Sequence, residues 1–234
     1  MRVALFVPCF INQLFPDVGR ATLAVLENAG CEVYVPLGQT CCGQPPFNSG
    51  LVDEARRAAD HFAAQFQGVD AIVTPSGSCA AMVRCHYPSL PGQTPLSVPP
   101  TYELCQFLVD VLNRLDHGAT LVGRGLIHVG CHQRNELHSG DAPFALLRRV
   151  SGLELVPSLS DEWCCGFGGT FSVNYPRLSV AMGSRKLAAY EPLDYNFLIT
   201  TDSSCGMQLQ GLAERRNQGL RVLHVAEVLA GAHS

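Results

Sequence analysis

Charge is what this sequence has least of. Only 15% of its 234 residues are Asp, Glu, Lys or Arg, and 16 basic against 20 acidic side chains leave a net charge of −4. A chain with no basic excess carries no electrostatic footprint for nucleic acid or for an anionic membrane. Long apolar runs are also missing. The opening MRVALFVPCF meets Asn12, Gln13 and Asp17 before it is long enough for a secretory signal, and no stretch reaches the length of a membrane span, so the expected address is the cytoplasm. A third absence is any C-x-x-C-x-x-C run, which excludes ferredoxin-type clusters carried on this chain. The glycines of CGFGG follow a cysteine pair and not a first β-strand, so no NAD or flavin site is expected.

What the sequence does have is apolar mass, with 47% hydrophobic residues, and eleven cysteines. In a reducing compartment clustered cysteines point to metal ligation or thiol chemistry and not to disulfides. Cys31, Cys85 and Cys105 stand alone in apolar or helical contexts and read as small buried hydrophobes. The other eight fall into a pattern.

That pattern is a repeat. RVALFVPCF matches GLIHVGCH, TCCGQPPFNSG matches WCCGFGGTFSV, AIVTPSGSCAAMV matches FLITTDSSCGMQL, and TYELCQFLVDVL matches LHVAEVLAGA. The offsets are nearly constant, 122 between Cys9 and Cys131, 123 between Cys41 and Cys164, and 126 between Cys79 and Cys205. Two tandem units, 1–116 and 117–234, therefore account for the chain. Strands are expected over 3–8, 31–36, 70–75, 125–130, 153–157 and 197–201. Helices are expected over 16–29, 52–66, 142–150 and 176–189. Such alternation predicts an α/β fold of two pseudo-symmetric Rossmann-like units with parallel sheets, in which ligands gather at the carboxyl ends of strands. Cys9, Cys79, Cys131 and Cys205 fall there.

Each unit thus presents a quartet, Cys9, Cys41, Cys42 and Cys79 in the first and Cys131, Cys164, Cys165 and Cys205 in the second. Adjacent thiols bridge each other poorly and more readily face a common third party. Four thiolates from three loops suit an iron–sulfur cluster or zinc. Gly43 and Gly166 after each pair, with Gly168 and Gly169, let backbone approach a bound centre. The halves are unequal. Gln44, Pro45 and Pro46 follow the first pair where glycines follow the second, and His132 and Arg134 beside Cys131 stand where the first unit has Phe10 and Asn12. His132 and Arg134 are the candidate proton carrier and carboxylate partner; His128 is a second candidate to tune a cluster. Arg177 and Lys186 could also receive a carboxylate but read better, taken singly, as solvated helix residues, and Trp163 reads as an apolar shield for a centre.

CCGFGGTFSV, PSGSCAAMV, LSVAMGSRKL and the closing HVAEVLAG carry a more specific likeness. The pattern resembles the CCG, or cysteine-rich, domain of the heterodisulfide-reductase B type, shared with the iron–sulfur subunits of glycolate oxidase and anaerobic glycerol-3-phosphate dehydrogenase. It is most similar to short two-copy members without a ferredoxin domain. The resemblance implies an iron–sulfur oxidoreductase subunit of a cytoplasmic complex that oxidises L-lactate, a 2-hydroxy acid, to pyruvate by electron transfer through cysteine-ligated clusters. The implied partners are a ferredoxin-like iron–sulfur subunit and a further small subunit. In the best-understood members the clusters are noncubane 4Fe-4S centres held by five cysteines. Here the fifth positions are Met82 and Gln208, which leaves a 4Fe-4S cube, a labile ligand-deficient cluster, or zinc in one half as the open forms. A thiol/disulfide reductase and a zinc-stabilised structural subunit are the alternative functions.

Overall fold

The computed structural model describes residues 1–158 and 162–231. It contains two four-stranded sheets, each parallel throughout. The first has β1 (Arg2–Leu5), β2 (Glu32–Tyr34), β3 (Ala71–Thr74) and β4 (Thr101–Glu103) in the order β2-β1-β3-β4. The second has β5 (Thr120–His128), β6 (Ser151–Val156), β7 (Phe197–Thr200) and β8 (Val222–His224) in the order β6-β5-β7-β8. The two topologies are identical, as the repeat predicts. Residues 112–119, which contain the 116/117 division, form neither helix nor strand and lead from one sheet to the other.

Strand alternation sorts side chains between two layers. Val3 and Leu5 of β1 join Ile127 and Val129 in one apolar core shared by both repeats, whereas Ala4 and Phe6 point into a separate cluster on the outer side of the first sheet. Leu126 and Leu198 do the same on the outer side of the second. The helix Pro16–Asn28 begins with proline at its first turn and Asp17 beside it, and buries Val18, Ala21, Thr22, Val25 and Leu26 on one face. Gly30, at φ +86°, turns the chain out of it. Its partner across the shared core is the helix Val225–Ala230.

The edge strands β4 and β8 are not among the expected strands. Each is three residues long and runs directly into a helix, too short for an alternating pattern to register. The entry is capped in both cases: the Glu103 carboxylate accepts from Gln106 N at 3.1 Å, and His224 Nδ1 accepts from Ala226 N at 3.1 Å. Among the described residues no helix is long and apolar enough to cross a membrane.

Candidate metal centre

Four short segments bring the cysteines to the carboxyl ends of the central strands. Cys9 opens the helix Cys9–Leu14 after β1 and Cys131 opens Cys131–Asn135 after β5. Cys79 lies in Gly77–Ala81 after β3, and Cys205 in Ser203–Glu214 after β7. The two pairs arrive on loops whose glycines do what the sequence suggests. Gly43 and Gly166 have φ of +83° and +86°, and their amides lie 3.4 and 3.3 Å from Cys41 Sγ and Cys164 Sγ as donors. The left-handed backbone turns those amides onto the sulfur.

Within each unit the thiols converge into a chain of contacts. Cys9 bonds Cys41, Cys41 bonds Cys42, and Cys42 Sγ lies 3.3 Å from Cys79 Sγ. In the second unit Cys131 bonds Cys164, Cys164 bonds Cys165, and Cys165 bonds Cys205. All eleven cysteines are free. Sharing protons this way concentrates charge on one sulfur per quartet. Hydrogen bonds from Cys42 and Cys9 lower the Cys41 thiol to about 3, and those from Cys131 and Cys165 lower Cys164 to about 2. The neighbours are driven the other way: donating to that thiolate, with burial added, holds Cys9, Cys42, Cys131 and Cys165 protonated. A set of convergent soft donors with one already ionised fits zinc or an iron–sulfur centre.

Both quartets open onto a single cavity of about 380 Å³ between the repeats. Its wall also includes His132, Asp202, Gly168 and Gly169, and Phe10 of the first repeat meets Phe167 of the second edge-on at 5.7 Å. Size alone would not have picked this site. A cavity of about 560 Å³ lies beside the proline-rich segment 88–100, but it holds no cysteine and its only charged lining residue is Arg84.

Other candidates fall on either side of the expectation. His132 is in the wall; its Nδ1 bonds Glu136 Oε1, and Nε2 lies 3.5 Å from the Gln44 amide of the other repeat. Arg134 does not line this cavity and faces a separate groove with His138, Asp141 and Glu162. Trp163 is not a buried shield: the residue is 37% exposed, with the Arg185 guanidinium 4.2 Å over its ring. Lys186, the only lysine of the chain, is not solvated but completely buried, and Nζ donates to the Trp163 carbonyl at 2.7 Å. Arg177 is exposed. Cys31 and Cys105 are buried as expected; Cys85 is exposed, its Sγ 3.9 Å from the Glu136 carbonyl. Met82 is buried in the same apolar cluster as Cys42, and Gln208 donates to Ser179 Oγ at 2.9 Å, so neither faces the cavity.

Asp202, which motif reading passed over, and His128, the second histidine candidate, complete the site. Asp202 is buried in the cavity wall and accepts from both repeats. His128 is buried behind the second quartet. A ring nitrogen and the Cys165 and Cys205 sulfurs all lie within 4.8 Å of one another. Burial, with the Lys186 charge nearby, holds its pKa well below the usual histidine range. The signals were present in the sequence: TTDSSC carries an aspartate where TPSGSC has Ser76, and a lone lysine in an arginine-using chain is conspicuous.

The family model for the cysteine-rich domain called CCG matches residues 3–84 and again 126–210. Curated relatives align over nearly the whole chain. The lactate utilization protein A of Geobacillus sp. is 43% identical over 98% of this chain and 99% of its own length. That of Geobacillus kaustophilus is 44% identical over 98% of each. Among solved structures, a putative Asp/Glu racemase from Yersinia pestis aligns over 99% of this chain and 97% of its own at 10% identity with a TM-score of 0.40, and no functional reading follows from it.

Proposed function

The chain belongs to the CCG cysteine-rich domain family, and we propose that it is the cluster-bearing oxidoreductase subunit of a cytoplasmic complex that oxidises L-lactate to pyruvate. The observation that carries this reading is the opening of both cysteine quartets onto one cavity at the join of the repeats. The substrate comes from the names of the relatives; the residues argue for the metal chemistry.

Converting a 2-hydroxy acid to a 2-oxo acid releases two electrons and two protons. Iron–sulfur centres held by Cys9, Cys41, Cys42 and Cys79 and by Cys131, Cys164, Cys165 and Cys205 would supply one-electron acceptance at two places along one route. The chain's own groups do the rest. Cys41 and Cys164, held ionised by their neighbours, are ready donors, while the amides of Gly43 and Gly166 fix their orientation. His132, pinned through Nδ1 to Glu136, presents Nε2 towards Gln44 at the cavity wall and can take up or release a proton there. Because the chain has no ferredoxin run, electrons leave through a ferredoxin-like partner subunit, with a further small subunit completing the complex.

Elemental analysis of protein purified without oxygen tests the reading. Iron with matching acid-labile sulfide is the expected result. Zinc without sulfide in both halves would make the chain a structural subunit, and reoxidation of the reduced centres by a disulfide substrate would make it a thiol/disulfide reductase. Lactate-driven reduction of an acceptor by the isolated chain, at rates comparable to the complex, would overturn its assignment as a subunit.

A further inference from the structure

The two quartets are alike in their cysteines and unlike in what stands behind them. Phe6 and His128 occupy the same position, each three residues before the first cysteine of its repeat. A second matched pair follows from the glycine contacts: a Cβ on Gly43 would meet Ala55 O and Ala58 Cβ, and one on Gly166 would meet Ser179 O and Met182 Cβ. That register, an offset of 124, sets Phe62 against Lys186. In the first repeat Phe6 and Phe62 pack edge to face, ring centres 5.0 Å apart, as an all-apolar backing to Cys42. The second repeat replaces this pair with an imidazole and an ammonium, both fully buried.

Such a replacement costs stability unless the polar groups are used. Lys186 is used, donating to the Trp163 carbonyl. His128 is not. Its side chain is 1% exposed, and neither Nδ1 nor Nε2 has a hydrogen-bond partner among the described residues. Among the described residues it is also the one histidine grouped with cysteine sulfurs as a metal site: its nitrogen, Cys165 Sγ and Cys205 Sγ are mutually within 4.8 Å. Metal–nitrogen and metal–sulfur bonds of about 2.0 and 2.3 Å bring such donors onto one ion with a shift of roughly an ångström.

We propose that a ring nitrogen of His128 is a direct ligand of the second metal centre, which is therefore held by thiolates and an imidazole, whereas the first is held by thiolates alone. This rests on the metal reading above and goes beyond it in making the two centres chemically different. Gln208, at the fifth position of the pattern, turns away to Ser179, and His128 supplies the further donor.

The test is pulsed electron paramagnetic resonance on the whole chain, reconstituted with iron and sulfide without oxygen, reduced, and labelled with ¹⁵N only in histidine. A strongly coupled ¹⁵N nucleus is expected in the unaltered protein and in His132→Asn, and its loss is expected in His128→Phe, which installs the residue the first repeat already carries. The measurement on the unaltered chain stands even if His128→Phe does not fold. Loaded iron and sulfide with no strongly coupled histidine nitrogen would overturn the proposal and leave the metal reading in place, as would coupling that survives His128→Phe. Failure to take up any metal would overturn both.

Discussion

Ser76 and Asp202 hold the same place in the two repeats, three residues before Cys79 and Cys205, and they are hydrogen-bonded to each other: Ser76 Oγ donates to Asp202 Oδ2 at 3.0 Å. Ser78 adds its hydroxyl at 3.0 Å and its amide at 3.4 Å to the same oxygen, while Ser204 donates to Oδ1 through its amide at 3.2 Å and its hydroxyl at 2.6 Å. One buried carboxylate therefore ties the two repeats together at the floor of the cavity and caps the helix that carries Cys205.

Removing that carboxylate leaves the buried Ser76 hydroxyl and the half-buried donors of Ser78 and Ser204 without their acceptor. Asp202→Ala should lower the unfolding free energy of the metal-free protein by about 3 kcal/mol, since each hydrogen bond to a charged group contributes roughly 1.5–3 kcal/mol net and part is recovered by water. Asp202→Asn keeps one acceptor oxygen and should lose less. Urea denaturation of the three proteins checks this; an alanine variant as stable as the parent would show that the carboxylate does not hold the repeats together.

Gly43 and Gly166 give a graded test of the pair loops. Both need positive φ, which costs an alanine about 1–2 kcal/mol. The new methyl differs in what it meets. At position 43 the severe contact is one, 2.9 Å to the Ala58 methyl, whereas at 166 the new methyl runs deeper into the backbone carbonyl oxygen of Ser179 and also lies 3.0 Å from Met182 Cβ and 3.2 Å from Gly183 N. Gly166→Ala should therefore cost more than Gly43→Ala, and thermal unfolding under identical conditions should rank them in that order. The reverse ranking would mean that the helix Pro176–Tyr190 yields more easily than its packing indicates.

The duplicated architecture was legible because it is written in spacing: eight cysteines at matched offsets and apolar runs between helical stretches mark six strands and the loops that follow them. What was not legible depends on contacts between the repeats. Asp202 is informative only when Ser76 and Ser78 are known to face it, and Lys186 reads as a solvated helix residue until the Trp163 carbonyl is found beside it. Arg134 shows the opposite error. Its nearness to Cys131 in sequence suggested a role at the cavity, but three residues along a helix point it to a different groove. β4 and β8 escaped because three-residue edge strands, held by pairing to β3 and β7, need no alternating pattern of their own.

Glu103 makes stability depend on pH. It is fully buried, donors from Gln106 N and Gln133 Nε2 notwithstanding, and burial raises its pKa from 4.5 to about 7. A carboxyl whose folded pKa is raised favours the folded state below its unfolded value, and that contribution is lost as pH climbs through the folded value. From near pH 4.5 to near 7 the wild type should thus lose stability from this group, on the order of 3 kcal/mol at most by the 1.36 kcal/mol per pKa unit relation. Glu103→Gln should flatten that decline while still accepting from Gln133. Denaturation midpoints of the two proteins at several pH values check it, and parallel curves would show that Glu103 ionises in the fold as easily as in the unfolded chain.

The unequal surroundings of the quartets lead to unequal consequences of losing a ligand. Cys42 sits in an apolar cluster with Phe6, Phe62 and Met82, and is followed after Gly43 by the short helix Gln44–Asn48, whose first turn is fixed by Pro45 and Pro46. Cys165 is backed by His128 and followed by Gly168 and Gly169, which line the cavity together with His132. Chemistry at the cavity should accordingly depend more on the second centre and folding more on the first. Cys165→Ser should abolish lactate oxidation by the assembled complex with the fold retained by circular dichroism, whereas Cys42→Ser should chiefly weaken metal retention and lower the melting temperature, leaving residual turnover. Metal content and activity measured on the same preparations separate the outcomes. Equal loss of turnover in both variants, with folding intact and the other half still loaded, would mean instead that the two centres act as a unit and that electrons must pass through both.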